Sequence, residues 1–384
     1  MYIDFLTRVN EVKRHFGNGD IHLAMRRLID CALDTQSPLV FKSCLAFCDY
    51  YDENKETSPG SLAEKADNVL ARVLETKIPL PGFSQPVLEV NELSKTYANG
   101  KFKLGNISFS IGRGQIAGLV GENGNGKTTL LRLLAMELKP DAGTIHYVFI
   151  NEKISPFHLR TKLVYIPQRI PRWYGSLMNN LQFTLTSYGV KGDDNLLWAE
   201  MMVARLGLRP YKHLNWDRIS SGYKTRFEIA KNLLRKPHIM LLDEPLANLD
   251  ILAQQTILQD IKHLSQSLTR PFATVLSSQQ LFEVEKVSDK VIFLRNGMPK
   301  YEHKEGDPLE EVVFEMETSA GKEDLLLLFK PLNIVKIVNN GGVLIFHFPA
   351  GTSSQSIYSL VAASTFEFNY IRNISRSSRR YFVE

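Results

Sequence analysis

Gly121-Glu-Asn-Gly-Asn-Gly-Lys-Thr-Thr129 fits the pattern G-x-x-x-x-G-K-[ST], and it stands between the apolar run Ile116–Val120 and the helical run Leu130–Met136. Strand, loop and helix in that order are the context in which the pattern holds phosphate. Gly121, Gly124 and Gly126 let the backbone fold into a nest of N–H groups around anionic oxygens, with Glu122, Asn123, Asn125 and Thr129 completing the loop. A helix beginning near Lys127 adds the positive end of its dipole. The Lys127 ammonium suits β- and γ-phosphate oxygens, and the Thr128 hydroxyl suits Mg²⁺. A glycine-rich turn with an exposed lysine is the plainer alternative, and the flanking strand and helix argue against it.

A second apolar run, Ile239–Leu242, ends in Asp243-Glu244-Pro245. Asp243 would emerge at the carboxyl end of a central strand, where ligands bind in open α/β sheets. There it can hold Mg²⁺, directly or through water. Glu244 points the other way and can polarise an attacking water. Taken alone, the two acids could equally cap whatever helix follows Pro245. The phosphate loop upstream tips the reading toward chemistry.

Outward from these motifs, the chain of 384 residues has room for two or three domains at about 150 residues each. Hydrophobic residues make up 44% and charged residues 23%, a composition that excludes disordered, collagen-like and coiled-coil classes. Lys+Arg is 46 against Asp+Glu 41, a net charge of +5, a mild excess that points weakly to an anionic partner and is far from a nucleic-acid-binding extreme, so no nucleic acid is expected. Cys31, Cys44 and Cys48 read as buried thiols in a reducing compartment, since no His–Cys partner set surrounds them. No run approaches the roughly 18 apolar residues that span a bilayer, and the start shows no basic-then-apolar leader. Any work at a membrane is therefore expected to go through a partner.

Three segments follow. Residues 1–78 read as helical: Phe5, Val9, Val12 and Phe16 keep helical spacing, as do Leu23, Met25, Leu28, Ile29 and Ala32, with Asp20 as cap of the second run. Asp52–Ser61 reads as a loop and Leu62–Leu74 as a further helix. Pro79, Pro81, Gly82 and Pro86 make 79–86 a linker. Residues 87–308 alternate β-type runs, glycine turns and helices, as α/β domains do, with Asn99-Gly100 as a hairpin turn. Residues 309–384 read as strand, helix, strand, strand, helix, strand, with the hairpin at Asn339–Gly342; that βαββαβ order is ferredoxin-like.

With these motifs in place, residues 87–300 resemble an ATP-binding-cassette (ABC) ATPase. The resemblance implies a P-loop NTPase with a RecA-like core and a helical subdomain, binding ATP and Mg²⁺. Gly121–Thr129 resembles the Walker A loop and Asp243-Glu244 the Walker B acids. Tyr97 sits where the family's adenine-stacking aromatic lies, though a hairpin aromatic is the plainer alternative. Gln168, in Tyr-Ile-Pro-Gln, matches the Q-loop residue that touches Mg²⁺ and water. Ser220, Ser221 and Gly222 occupy the signature position, where Ser220 could also cap a helix, and Leu246–Asp250 resembles the D-loop. Two departures stand out. Ser221 replaces the first glycine of S-G-G, and Gln279, in Ser277-Ser-Gln-Gln-Leu281, replaces the switch histidine. Glutamine donates a hydrogen bond but carries no proton near neutrality, so slow turnover is expected.

The resemblance further implies a dimer, homo- or heteromeric, because family ATP sites lie between the Walker A of one cassette and the signature of another. It implies a separately encoded polytopic permease, contacted near Leu177–Gly189, and a place at the inner face of the cell membrane. The C-terminal unit, closing Arg379-Arg-Tyr-Phe-Val-Glu384, is similar to domains appended to bacterial ABC-2-type exporter ATPases. An exporter ATPase is the expected function. The rivals are a soluble ATP-switched factor acting on ribosomes or nucleic acid, and a binding-only regulator with little turnover.

Overall fold

Helical spacing at the start of the chain produces four helices, α1 (Tyr2–Gly17), α2 (Ile21–Thr35), α3 (Pro38–Glu53) and α4 (Pro59–Glu75). The computed structural model describes residues 2–54, 58–78, 86–97, 102–149, 156–301, 311–340 and 342–375. The proposed turn at Asn99-Gly100, most of the linker and the closing arginines fall outside them. Pro38 and Pro59 each sit in the first turn of a helix, where the missing N–H is harmless, and Ser58 Oγ accepts the Ser61 N–H at 3.4 Å. Two expectations need correction. Asp52–Ser61 is not a loop throughout, because α3 continues to Glu53 and α4 starts at Pro59. Asp20 stands at the start of α2 but makes no capping bond; its carboxylate lies instead 3.8 Å from the His15 ring.

Two sheets follow. β1 (Pro86–Thr96), β2 (Lys103–Gly112) and β4 (Ala142–Tyr147) form an antiparallel sheet in the order β2-β1-β4. β3 (Ile116–Val120) and α5 (Lys127–Leu134) precede β4 in the chain. β3 joins a larger sheet with β5 (Leu163–Ile166), β6 (Ile239–Leu242), β7 (Ala273–Ser278), β8 (Lys290–Arg295) and β9 (Met298–Tyr301), in the order β5-β6-β7-β3-β8-β9. All its pairings are parallel except β8 with β9. Every residue of β3, β6 and β7 is buried, which is why these strands read as unbroken apolar runs rather than alternating ones. α6 (Pro156–Lys162) precedes β5. A helical layer of α7 (Leu177–Ser187), α8 (Gly192–Arg205) and α9 (Ser221–Leu233) packs its apolar residues with the sheet's second face, and α10 (Ile251–Ser265) and α11 (Leu281–Glu285) complete this part.

The N-terminal helices share a core with α8: Phe16, Phe41 and Leu28 cluster with Met201 and Ala204. An ion network reinforces the join. Arg205 on α8 is wholly buried and pairs with Asp30 of α2 and with Asp260 of α10, the latter at 2.6 Å, while Arg26 reaches the same Asp260 oxygen at 3.3 Å. The N-terminal helices are thus tied to both α8 and α10.

The C-terminal part runs β10 (Glu311–Thr318), α12 (Lys322–Leu328), β11 (Lys336–Asn340), β12 (Val343–Pro349), α13 (Ser354–Ala363) and β13 (Phe368–Asn373). Its antiparallel sheet has the order β11-β12-β10-β13, and Phe314, Phe329, Phe346 and Phe348 fill the core. Cys31, Cys44 and Cys48 are free and buried.

Candidate functional site

The loop 121–126 leaves the carboxyl end of the central strand β3 and enters α5 at Lys127. Gly126 has φ of +97°, and a Cβ there would meet Phe102 Cζ at 2.8 Å, so both conformation and space demand glycine. A Cβ on Gly121 would lie 2.3 Å from the backbone oxygen of Leu294 on the neighbouring strand. Asn125 is buried, and its Oδ1 accepts the Asn296 N–H at 2.9 Å, pinning the loop to the β8–β9 turn. Glu122, Asn123 and Gly124 stay exposed on the loop's outer side.

Lys127 is buried, with its Nζ donating to the backbone oxygens of Gly121 at 2.6 Å and Glu122 at 3.1 Å and lying 3.3 Å from Glu244 Oε1. The adjacent Thr128 Oγ1 donates to Asp243 Oδ1 at 3.2 Å. Asp243, buried at the end of β6, also accepts from Ser277 Oγ at 2.8 Å and, on its other oxygen, from Tyr165 OH at 3.2 Å. Burial and then the neighbouring Asp243 push the Tyr165 phenol well above its usual range, so it stays a donor. A hydroxyl beside a carboxylate is a hard-oxygen donor pair suited to Mg²⁺, which keeps waters and takes further oxygens from phosphate. Among the described residues no set of three His, Cys, Asp or Glu forms a protein-only metal cage.

Glu244 collects a second group of partners. Gln168 Nε2 donates to Oε2 at 2.9 Å, and Gln279 Nε2 reaches Oε2 at 3.0 Å and Oε1 at 3.2 Å. Its backbone N–H donates to Ser277 Oγ at 2.8 Å, and its φ is +46°, a conformation side chains rarely adopt. One carboxylate therefore faces an ammonium and two amides at the mouth of the loop. Such a group can accept a proton from water while the lysine neutralises phosphate charge.

Gln168, expected at Mg²⁺ and the attacking water, donates to Glu244. Tyr97 is 39% exposed, and its OH lies 3.3 Å from Thr129 Oγ1, which sets the ring beside the loop. Ser220 occupies the cap position of α9, but its side chain makes no capping bond, so the expected double role reduces to an exposed hydroxyl. Ser221 Oγ donates to the Asn248 backbone oxygen at 3.2 Å. A Cβ on Gly222 would find only ordinary contacts, at 3.6 Å from Leu249 and 3.8 Å from Ala253. Asp250 caps α10, accepting the Ala253 N–H at 2.8 Å. Among the described residues, no hydrogen bond joins Ser220, Ser221, Gly222 or Asp250 to the phosphate loop of the same chain.

Residues 104–247 match the family described as ABC transporter. The phosphonates import ATP-binding protein PhnC of Bdellovibrio bacteriovorus is 31% identical over 232 residues, covering 56% of this chain and 87% of that protein. The chain belongs to the ABC transporter family. Its ATP-binding cassette is the part matched, and the family binds ATP with Mg²⁺. The spermidine/putrescine import ATP-binding protein PotA of Mycoplasma mycoides is 30% identical over 213 residues, 55% of this chain, and the match spans 59% of that relative's length. Among solved structures, cbiO1 from Clostridium perfringens, part of the ABC transporter complex cbiONQ, superposes with a TM-score of 0.51 at 24% identity over 56% of this chain and 88% of that one. That likeness concerns the cassette fold.

Sequence reasoning singled out neither Tyr165 nor Ser277 as a site residue, although both stand in stretches it quoted. Their signal was position: each is at the carboxyl end of a strand flanking Asp243.

Proposed function

We propose that this chain is the ATP-hydrolysing subunit of an ABC transporter, working as a dimer, homomeric or heteromeric, beneath a separately encoded membrane permease. The observation that carries the reading is the convergence of Lys127, Gln168 and Gln279 on the Glu244 carboxylate beside the Thr128–Asp243 pair. In this reading Gly121–Thr129 cradle the phosphates and Tyr97 packs on the adenine. Thr128, Asp243 and Gln168 would hold Mg²⁺, which would screen phosphate charge. Glu244 takes the proton from water while Gln168 and Gln279 fix its orientation. Ser220, Ser221, Gly222 and Asp250 serve the partner's nucleotide, which fits the exposure of Ser220, Ser221 and Asp250 and the ordinary contacts a Cβ on Gly222 would make. No helix among the described residues is long and apolar enough to cross a membrane, in keeping with a peripheral subunit at the inner face.

We read 1–78 as a helical accessory domain, 79–86 as a linker, 87–308 as the cassette and 309–384 as a ferredoxin-like domain. The export direction rests on that last domain. Import is the second reading, favoured by the names of the curated relatives, whose similarity covers little more than half of this chain. Two measurements test the proposal. Glu244→Gln should bind Mg·ATP but release phosphate about a hundredfold more slowly than wild type, and equal rates refute the assignment. Membrane vesicles carrying this subunit with its co-purifying permease should accumulate cargo when inside-out and ATP-supplied; accumulation only with ATP trapped inside right-side-out vesicles refutes export.

A further inference from the structure

A cavity of about 220 Å³ lies where the N-terminal helices, the helical layer and the sheet layer meet. Its apolar walls come from all three: Leu33 on α2, Leu185, Trp198 and Met202 on α7 and α8, and Pro237 and Phe272 beside β6 and β7. A dry cavity of about 150 Å³ accommodates a benzene ring, so this one has room for an eight-carbon chain or a bicyclic ring.

The charge around it is lopsided. Arg113, Lys162, Lys236 and Arg270 line the cassette side. Arg8, Asp30 and Asp34 line the N-terminal side, where both carboxylates already have cation partners and Asp34 also acts on Arg270. Asp30 is held by Arg27 at 2.6 Å and by Arg205. Asp34 is held by Arg8 at 3.2 Å, by Ser267 Oγ at 2.6 Å and by the Leu268 N–H at 3.1 Å. Arg270 bonds Gln36 at 2.6 Å and lies over the Trp198 ring at 4.3 Å. Burial lowers Lys236, and the nearby Arg270 and Lys162 lower it further. His238, also on the wall, is depressed to about 4 by burial and then by Arg113 and Lys162. A half-open apolar space bordered by cations that repel one another suits an apolar body with a single anionic head.

We propose that this cavity binds a small amphipathic anion, its chain or ring against Leu33, Leu185, Trp198 and Met202 and its carboxylate or phosphate head against Lys162, Lys236 and Arg270. The occupant touches all three layers, so its binding favours the arrangement in which they are packed together. The site is separate from the nucleotide loop, and it stands or falls independently of the transport reading.

The test uses the full chain with octanoate, octyl phosphate, octylamine and acetate as probes, followed by calorimetry and by tryptophan fluorescence, since Trp198 is on the wall. Saturable binding of octanoate or octyl phosphate is expected, and the tighter of the two identifies the head group. Octylamine and acetate should bind at least tenfold more weakly. Lys162→Gln/Lys236→Gln should weaken the better probe tenfold or more. Leu33→Trp, which fills the space, should abolish binding while circular dichroism shows the fold retained. Absence of saturable binding by both anions overturns the proposal. So does equal affinity for octylamine, an unchanged affinity in the double lysine variant, or full binding in folded Leu33→Trp.

Discussion

Replacing Gln279 by glutamate sets two carboxylates against each other while hardly changing side-chain volume. In the wild type Gln279 Nε2 lies 3.0 Å and 3.2 Å from the two Glu244 oxygens. A hydrogen bond to a charged group contributes about 1.5–3 kcal/mol. Gln279 is exposed, and Gln168 and Lys127 still hold Glu244, so its loss belongs at the low end. Gln279→Ala should therefore slow phosphate release about tenfold, equivalent to about 1.4 kcal/mol. For Gln279→Glu a repulsion is added. At 3.0 Å it amounts to about 1.4 kcal/mol in bulk water and about 5.5 kcal/mol at an effective dielectric constant of 20. Exposure favours the smaller figure, which makes the glutamate variant about a hundredfold slower than wild type. Added salt should recover part of that loss in the glutamate variant and none in the alanine variant. Gln279→His, which restores a donor, should keep or raise the rate. No step in the wild-type rate between about pH 6 and 8 should arise from this position, because an amide does not titrate there. The assay is steady-state phosphate release at saturating Mg·ATP, so that affinity drops out. If the alanine and glutamate variants both turn over at the wild-type rate, Gln279 acts on nothing that reacts, and the reasoning from its contacts fails.

Lys127→Ala should weaken Mg·ATP binding about ten- to a hundredfold by calorimetry, the value of one charge-assisted contact, and an unchanged affinity in folded protein would remove the loop from the site. Arg205→Ala takes the buried cation from Asp30 and Asp260, leaving them Arg27 and Arg26, and should destabilise the chain by about 3 kcal/mol in denaturant titration. A loss below about 1 kcal/mol would show that the network is solvated. His263 and His238 are held neutral in the fold, each depressed from the usual 6.5 to about 4 mainly by burial. Unfolding frees both to protonate, so their contribution is complete above pH 6.5 and is lost as pH falls from there toward 4. The fall in melting temperature between those limits should be shallower in His238→Gln/His263→Gln, and an identical pH slope would contradict the burial argument.

The nucleotide loop, the acid pair and the order of elements were legible in the sequence because each is local. A strand buried on both faces is an apolar run, a phosphate nest is glycine at fixed offsets, and the βαββαβ order follows from runs of period 2 and 3.6. The same locality explains the small errors, such as the loop drawn through Asp52–Ser61, where helix ends depend on packing against neighbours. The tertiary structure alone decided what each polar side chain touches. Gln168, Gln279 and Lys127 approach Glu244 from three separate strand ends. Arg205 finds Asp30 across 175 residues and Asp260 across 55, and this joins the N-terminal helices to the cassette. Pairs so distant in the chain leave no periodic trace, since one charge in a helix reads the same whether it meets water or a buried partner. Only the packing of three layers brings them together, and with them the cation-lined cavity between the layers.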